Sequence, residues 1–330
     1  MKRIQLSHGG GGEEMESLIS GLFYRYFGND ILLRSEDAAV LEVKGKIAFT
    51  TDSFTVSPVV FAGGDIGKIA IAGTVNDLAM MGAKPLYLSC GFMIEEGLAF
   101  ETLESIVSSM ASELAKSGAK IVCGDTKVVP RGSVDKIFIN TSGIGEIMRE
   151  GISAHAIENG DAILVSRDIG THGAAILAAR EGIELQSDLK SDCETLWPAV
   201  ERLLREGIGI KAMRDATRGG VAAVLNEWAV ASGVCLEIDE EALPISDEVR
   251  GICEMMGFEP YDFANEGTFI VAVEAGDQTR TCEILQEFNV TASIIGQATA
   301  QKNGRVILRS GWGSLRYLEL PKGELLPRIC

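Results

Sequence analysis

The sequence predicts a mixed α/β fold that is divided between two domains and followed by a short C-terminal tail. Three observations predict it: the chain length, the alternation of strand-like and helical segments, and a break in that alternation near residue 152. A chain of 330 residues exceeds what one ordinary hydrophobic core supports, so we expect two domains of roughly 150 residues each. With 46% hydrophobic residues, the chain carries enough apolar surface for both cores.

The N-terminal half begins with an amphipathic helix and continues as alternating strands and helices. Between Glu13 and Tyr26, apolar residues recur at helical spacing, and acidic residues in the first turn favour the helix dipole. Apolar periodicity then predicts strands at residues 47–54, 86–94, 120–124 and 136–147, with helices at 66–82 and 100–117.

The pattern relaxes over residues 151–160, and a new strand at 162–166 opens the second half. We therefore expect an N-terminal domain of residues 1–151, a C-terminal domain of residues 152–320, and a mobile tail of residues 321–330 whose two prolines and glycine give it no local reason to pack. Within the C-terminal domain, periodicity predicts helices at 172–181, 194–206, 220–231 and 278–288, and strands at 234–238, 268–273 and 305–308.

Charge and hydropathy exclude several classes of function. The net charge is -17, and no run of Lys or Arg could neutralise a phosphate backbone, so we expect no nucleic-acid partner. An acidic protein can still bind ATP, because divalent metals bridge carboxylates to phosphates. The sequence shows no signal peptide and no apolar segment of membrane-spanning length, so we expect a cytoplasmic protein with no membrane contact.

The cysteines predict neither a disulfide framework nor a zinc site. The chain contains 7 cysteines, an odd number without CxxC pairs. Six lie within or beside apolar segments, where a thiol behaves as a small hydrophobe. The exception is Cys330, which lies at the end of the tail. A thiolate is a strong nucleophile that can carry an acyl-like group, so Cys330 is either an incidental cysteine or the working nucleophile.

Dispersed aspartates are candidate ligands for Mg²⁺ and phosphate. Mg²⁺ prefers hard oxygen ligands and completes its shell with water and substrate phosphates. Taken alone, each aspartate is more often a turn-forming or helix-capping residue than a metal ligand. Asp77 is the least compatible with that alternative, because it lies inside an otherwise apolar helical segment. The candidates are Asp37, Asp52, Asp77, Asp125 and Asp215.

Two loops and one acid add further candidates. A glycine run, Gly9 to Gly12, precedes the first helix, where it could approach a phosphate or serve only as a flexible linker. The segment 124–127 (GDTK) places Lys127 just beyond a buried strand, as a phosphate ligand or a solvated lysine. Glu266 precedes an apolar strand and could be a general base or an edge charge. His8 and His172 carry little weight individually.

Taken together, several motifs resemble the HypE family of hydrogenase maturation proteins. That family belongs to the ATP-binding superfamily of aminoimidazole ribonucleotide synthetase and selenophosphate synthetase. The resemblance extends along the whole chain, and the final PRIC together with GDTKVV and RDATRGG is specific to the family. The motifs are SHGGGG, DAAV, TTDSFTVSP, NDLAMMGAKP, GDTKVV, RDATRGG, ANEGT and PRIC.

The resemblance implies a PurM-like homodimer in which N-terminal sheets pair across a two-fold axis and ATP lies in a cleft between the domains. It also implies a reaction. A HypF carbamoyltransferase carbamoylates the terminal cysteine, ATP drives dehydration of the S-carboxamide to a thiocyanate, and cyanide passes to iron on a HypC–HypD complex as a ligand of the [NiFe]-hydrogenase centre.

The same resemblance implies roles for individual residues. Cys330 carries the reacting group, Glu266 removes the N–H protons, and Lys127 orients Glu266. Mg²⁺ and phosphate ligands are Asp37, Asp52, Asp77 and Asp215. The ATP site also includes Gly10, Gly11, Gly12, Asp125, Thr126 and Thr217.

Two departures from the family pattern and two rival functions complete the sequence-based interpretation. The glycine loop reads HGGGG rather than HGSGG, and residues 170–173 read GTHG rather than GDHG, so we assign Thr171 no role. One rival is a superfamily synthetase or kinase that acts on a small molecule and has no use for the PRIC tail. The other is a non-catalytic carrier that uses ATP only to set its conformation.

Overall fold

The first sheet lies in the N-terminal half of the chain. The computed structural model describes residues 2–36, 38–183, 188–301, 303–320, 326 and 328–330. Within them, four strands form one sheet in the order β1-β6-β4-β5, antiparallel except for the parallel pair β4 and β5. The strands of this sheet are β1 (Ile47–Phe54), β4 (Ala83–Glu95), β5 (Lys120–Val129) and β6 (Ile137–Ile147), and a short hairpin of β2 (Val60–Phe61) and β3 (Gly64–Asp65) follows β1.

Helices cover one face of this sheet and leave the other open. The first helical segment runs from α1 (Glu13–Leu18) through a π-helical stretch, Ile19–Phe23, into α2 (Tyr24–Phe27). The Asp65 carboxylate caps the next helix, α3 (Ile66–Met80), by accepting hydrogen bonds from the N–H groups of Gly67 and Lys68. Helix α4 (Phe100–Ser117) packs beside α3. On the open face, Phe49 keeps 67% of its surface exposed and Met93 keeps 43%.

The second sheet lies in the C-terminal half and contains seven strands among the described residues, in the order β13-β12-β9-β11-β7-β10-β8. Its strand β10 is buried along its whole length. The elements are β7 (Ala162–Val165), α5 (Thr171–Glu181), α6 (Trp197–Arg205), β8 (Ile210–Asp215), α7 (Gly220–Ser232), β9 (Cys235–Asp239), α8 (Asp247–Met256), β10 (Phe269–Val273), α9 (Gln278–Gln286), β11 (Ser293–Thr299), β12 (Val306–Arg309) and β13 (Leu315–Tyr317).

Helix α3 lies between the two sheets and is buried almost all round, which explains its nearly uniform apolar sequence. One hydrophobic cluster includes residues from both halves, so they share part of their core. A polar residue of α3 binds the second half: Asn76 accepts a hydrogen bond from the N–H of Leu196 at 2.7 Å. The two halves meet beside the Asp77 end of α3, and we refer to this junction as the cleft.

The observed architecture confirms the predicted mixed α/β fold. Each helix and strand predicted from periodicity is present, with ends shifted by a few residues. The β2–β3 hairpin, strands β8, β11 and β13 and helix α8 were not predicted. None of the helices in the described ranges is both long and apolar enough to cross a membrane.

Candidate active site

Acidic side chains from both halves meet in the cleft beside α3. Asp52 on β1 lies beside Asp77 on α3, and the Oγ1 of Thr50 donates to Asp77 Oδ2 at 2.6 Å. Asp215, at the end of β8, is buried beside them. Burial, followed by the charge of Asp77, raises the pKa of Asp52 to about 6 and that of Asp215 to about 7. A cation bound here would relieve this repulsion.

Glu266 lies deeper in the same cleft, with only 3% of its surface exposed. Burial, and then the charges of Asp192, Asp215 and Asp52, raise its pKa well above the ordinary value, and Arg218 opposes the shift. Its Oε1 atom has no hydrogen-bond partner among the described residues. A buried carboxyl oxygen of this kind is expected to receive a donor from a bound ligand, because an unsatisfied polar atom is costly.

The loop that carries Glu266 is fixed by neighbouring side chains. The amide group of Asn265 bridges two segments, because its Oδ1 accepts from the N–H of Gly170 at 2.7 Å and its Nδ2 donates to the carbonyl of Ala216 at 2.8 Å. On the other side of Glu266, a Cβ on Gly267 would lie 1.9 Å from the carbonyl oxygen of Asp192. Only glycine fits there, so close packing explains the glycine of the ANEGT motif, whereas chemistry explains its glutamate.

The tail brings Cys330 into this cleft. The N–H of Thr55 donates to the main-chain oxygen of Cys330 at 2.9 Å, and the N–H of Ser57 donates to the carbonyl of Arg328 at 3.2 Å. The side chain of Ile329 is buried with the core cluster. No local pattern in the sequence required the tail to pack, yet residues 328–330 are docked between the two halves. Movement of the tail stays a prediction.

Docking places the thiol of Cys330 among acids. Burial, then the charges of Glu266, Asp52 and Asp215, raises the pKa of Cys330 to about 12, whereas Arg218 lowers it. Arg218, from the RDATRGG motif, was not among the predicted site residues. The motif's Thr217 lies in the turn between β8 and α7, where its carbonyl accepts the N–H of Gly220 at 2.9 Å.

The remaining predicted residues lie at the other edge of the first sheet. A Cβ on Gly9 would lie 2.5 Å from the N of Val128, so the glycine loop packs against β5. Gly10, Gly11 and Gly12 follow that contact, and Gly11 adopts a φ of +82°. Because β5 and β1 are opposite edges of a four-stranded sheet, this loop is about 14 Å from the strand of Asp52.

Asp125, Thr126 and Lys127 lie on β5 at that same edge. Asp125 Oδ1 accepts from the N–H of Thr126 at 2.8 Å and from the Lys127 ammonium at 3.1 Å. Both charged side chains are exposed, whereas Thr126 is buried. A cavity of about 540 Å³ opens beside Asp125 and Thr126, between β5 and α1 to α2. Asp37 lies outside the described residues, so its predicted role stays a prediction.

The predicted site is therefore divided within one chain. Asp52, Asp77, Asp215, Glu266 and Cys330 meet in the cleft, whereas the glycine loop and residues 125–127 lie across the sheet. The register pairs Lys127 with Met93, and Met93 in turn with Phe138, on the open face, whereas Asp52 faces α3. One chain alone does not bring Lys127 to Glu266.

The fold and the cleft define a two-domain protein of the aminoimidazole ribonucleotide (AIR) synthase class, which has the PurM-like fold. The family models that match are AIR synthase related protein, N-terminal domain, at residues 35–147, and AIR synthase related protein, C-terminal domain, at residues 158–309. Over 339 aligned residues, the chain is 47% identical to carbamoyl dehydratase HypE of Escherichia coli (strain K12), with 100% of both chains covered. The chain belongs to the HypE family.

Solved structures agree with that assignment. The crystal structure of a hydrogenase maturation protein HypE in complex with ATP is 43% identical, matches with a TM-score of 0.95, and shares 99% coverage of each chain. A HypE–HypF complex contains a chain that is 45% identical and matches with a TM-score of 0.80, over 92% of this chain and 100% of that one. The resemblance inferred from the motifs is confirmed.

Proposed function

We propose that the protein is an ATP-dependent carbamoyl dehydratase that acts on an S-carbamoyl group carried by its own Cys330. The product is a thiocyanate that supplies the cyanide ligand for the iron of [NiFe]-hydrogenase. The observation that carries the proposal is the position of Cys330, docked between the two halves beside the buried Glu266. The relatives named carbamoyl dehydratase HypE and the relative crystallised with ATP support it.

The reaction converts the S-carboxamide and ATP into the thiocyanate, ADP, phosphate and one proton. The carboxamide oxygen attacks the γ-phosphorus of ATP, the bond from that phosphorus to ADP breaks, and an O-phosphorylated isoimide forms. The C–O bond then breaks, phosphate leaves with the former carboxamide oxygen, and the C–N bond becomes triple. Both N–H protons are lost on the way: phosphate carries one, and the other is released. Phosphorylation is needed because oxide itself is a very poor leaving group.

Glu266 is the proposed acceptor of the N–H protons. Its Oε1 is buried and unpaired among the described residues, so a carboxamide N–H on Cys330 would satisfy it. Burial and nearby acids raise the pKa of Glu266 and favour its protonated form, so it accepts a proton only when cations offset those charges. Arg218, at an exposed position near Glu266, is one such cation, and Lys127 is the proposed second.

Asp52, Asp77 and Asp215 are the proposed holders of Mg²⁺. Their mutual repulsion fits a cation, and their oxygen atoms suit this metal. Among the described residues, no three or more His, Cys, Asp or Glu side chains are placed to hold a metal ion together. Mg²⁺ is usually bound by one or two carboxylates and completes its shell with water and substrate phosphates, so two of the three aspartates would suffice for one ion. When bound, Mg²⁺ stabilises charge on the phosphoryl oxygens.

We propose that the protein works as a homodimer whose open sheet faces pair across a two-fold axis. Exposed apolar side chains such as Phe49 and Met93 on that face would be buried by pairing. In such a dimer, Lys127 of the partner subunit and its glycine loop would approach the cleft that one chain leaves incomplete. ATP would then lie between residues from both protomers.

The proposed partners follow the family chemistry. A HypF-type carbamoyltransferase loads Cys330, and a relative of this chain was crystallised as a HypE–HypF complex. A HypC–HypD scaffold that carries iron is the proposed acceptor of cyanide. We propose the cytoplasm as the place of this assembly.

The test is a mass measurement on the C-terminal peptide. The protein is incubated with carbamoyl phosphate, ATP, Mg²⁺ and a HypF-type carbamoyltransferase, and Cys330→Ala is the control. We expect the wild-type peptide to gain a carbamoyl group and then lose the mass of one water only when ATP is hydrolysed. Stoichiometric cyanation would exclude a non-catalytic carrier. ATP consumption with an unmodified peptide would instead favour a small-molecule kinase or synthetase.

A further inference from the structure

Helix α5 contacts the tail through the side chains near both of its ends. His172, in the first turn, is fully buried. Its Nε2 lies 2.8 Å from the carbonyl oxygen of Ile329, and its Nδ1 lies 2.7 Å from the Oγ of Ser191. Because a carbonyl oxygen only accepts, Nε2 carries the proton and donates it to the tail. Ser191 is tied in turn to the first half, because its N–H donates to the carbonyl of Ala62 at 2.8 Å.

Arg180, in the last turn of α5, holds the preceding tail residue. Its guanidinium donates to the carbonyl of Arg328 and, through Nε at 2.6 Å, to the carbonyl of Ser57. From the first half of the chain, the N–H groups of Ser57 and Thr55 also donate hydrogen bonds to the main chain of the tail. The main-chain oxygens of residues 328, 329 and 330 are therefore all held, by groups from both sides of the cleft.

We propose that His172 and Arg180 are positioning residues of the reaction, which clamp the tail by its main chain and thereby set the place of the Cys330 sulfur relative to Glu266. The inference rests on the proposed function. A main-chain clamp does not touch the thiol, so it holds the tail equally whether Cys330 is free, carbamoylated or cyanated. Its contacts are also separate from the metal and phosphate ligands, so its loss should affect positioning and leave ATP binding intact.

A structural role for His172 alone does not explain this arrangement. A histidine that only stabilised the C-terminal half would find both partners within it, whereas the Nε2 partner of His172 is the tail carbonyl. The buried side chain of Ile329 anchors the same residue, because only 5% of its surface is exposed. The clamp therefore combines one apolar anchor with donors that face consecutive carbonyls.

The test compares His172→Phe and Arg180→Met, which remove donors, with His172→Gln and Arg180→Lys, which retain one. His155→Gln and Arg205→Gln are matched controls, because both residues are exposed and distant from the tail in their contacts. We expect His172→Phe and Arg180→Met to accelerate alkylation of Cys330 by iodoacetamide about tenfold, since each lost hydrogen bond raises the undocked population.

The donor-free variants His172→Phe and Arg180→Met should be carbamoylated at the wild-type rate or faster, because their tail is more accessible to the carbamoyltransferase. At saturating ATP, their dehydration rate should fall about tenfold with the KM for ATP unchanged. The variants that retain a donor should recover at least part of both effects. If His172→Phe does not fold, the same measurements can be made on Arg180→Met, at a half-buried position, and on Ile329→Ala, within the tail.

Two outcomes would overturn the clamp: alkylation at the wild-type rate in folded donor-free variants, or a dehydration defect that arises from a higher KM for ATP. Failure of the proposed function looks different. In that case the wild-type protein and both controls would show no dehydration, whereas the alkylation measurement would still report whether His172 and Arg180 hold the tail.

Discussion

The Oδ1 atom of Asp192 accepts a hydrogen bond from the backbone N–H of Glu266 at 3.0 Å. The Oδ2 atom of the same carboxylate accepts from the N–H of Gly267 at 3.0 Å and from the hydroxyl of Thr268 at 2.7 Å. One buried carboxylate thus fixes three consecutive residues of the loop, and its charge raises the pKa of Glu266. Position and protonation of the proposed base are coupled through Asp192.

Asp192→Asn should disturb both properties. An amide has one accepting oxygen, so at least one of the three donors loses its acceptor, and we expect the free energy of unfolding to fall by about 1–3 kcal/mol. Loss of the negative charge lowers the pKa of Glu266, so the limb of the dehydration pH profile that belongs to Glu266 should move to lower pH. Urea unfolding and the pH profile measure the two effects. Asp188→Asn, at an exposed position, is the control. If the pH profile of Asp192→Asn matched that of wild type, Asp192 would not influence the protonation of Glu266.

Glu266→Gln should abolish dehydration and change how stability depends on pH. Because the folded-state pKa of Glu266 lies above its unfolded value, its contribution to stability is fully present below the unfolded pKa and is lost as pH rises through the folded pKa. Glutamine does not ionise, so the variant does not lose stability in this way. The free energy of unfolding of the variant should therefore rise relative to that of wild type as pH increases, by at most about 1.4 kcal/mol per pH unit.

The measurement is urea unfolding of both proteins in EDTA without nucleotide, at several pH values from mildly acidic to mildly alkaline. Glu254→Gln, at an exposed position of α8, should leave the pH dependence of wild type in place. A constant difference between wild type and Glu266→Gln across the range would show that Glu266 keeps its ordinary pKa in the folded protein. If Glu266→Gln were inactive but had the stability of wild type at every pH, Glu266 would keep its catalytic role, but burial would not raise its pKa.

Cys330 should be a poor nucleophile while the tail is docked. Thiolate is the reactive form, and burial beside Glu266 raises the pKa of Cys330 to about 12. At mildly alkaline pH, we expect iodoacetamide to alkylate Cys330 at least about tenfold more slowly than a free peptide of the same terminal sequence, whose thiol has a pKa of about 8.5. The mass of the C-terminal peptide reports the rate, and the urea-unfolded protein is the control. Equal rates for protein and peptide would show that the tail is undocked most of the time.

This reactivity also orders the steps of the proposed function. A thiol that is protonated and buried is unsuited to accept a carbamoyl group, whereas a carbamoylated sulfur has no proton to lose. Loading is therefore expected on the undocked tail, and dehydration on the docked tail. The cleft suits the second step, because Glu266 offers a buried acceptor beside the place where the carboxamide would lie.

Local patterns predicted most of the fold because apolar periodicity reports burial directly. The helix predicted over Glu13 to Tyr26 is observed as α1 to α2, interrupted by a π-helical stretch that periodicity cannot reveal. Strand β11 was not predicted because its exposed and buried positions do not alternate regularly. Helix α8 was not predicted either, although Ser246 caps it and its apolar residues face one side.

The site was predictable in composition but not in arrangement. Motifs identified Asp52, Asp77 and Glu266, which the fold brings together, because chemistry restricts the residue types. The motifs do not indicate which edge of the sheet each of them occupies. The separation of Lys127 from Glu266 therefore became visible only from the strand order in the structure. Asp192 lies in an irregular segment and acts through backbone N–H groups, a contact that leaves no pattern in the sequence.

The divided site and the proposed homodimer together predict that two inactive variants restore activity when they share a dimer. Lys127→Ala and Cys330→Ala homodimers should each fail to dehydrate. In a mixed dimer, the Cys330 of the Lys127→Ala chain lies opposite Lys127 of the partner subunit, so one complete site forms. Because one of the two sites in each mixed dimer is complete, a pure mixed dimer should show about half the wild-type rate.

The measurement uses separately tagged chains, co-expressed and purified through both tags, with cyanation followed on the C-terminal peptide of the Lys127→Ala chain. A dimer that carries both substitutions on one chain and none on the other is the matched control, because its composition is the same. In that control, the one remaining Cys330 lies opposite a chain that has lost its lysine at position 127, so the dimer should be inactive. If it is the active arrangement instead, Lys127 acts within its own chain, and the tail must reach across the first sheet to meet it.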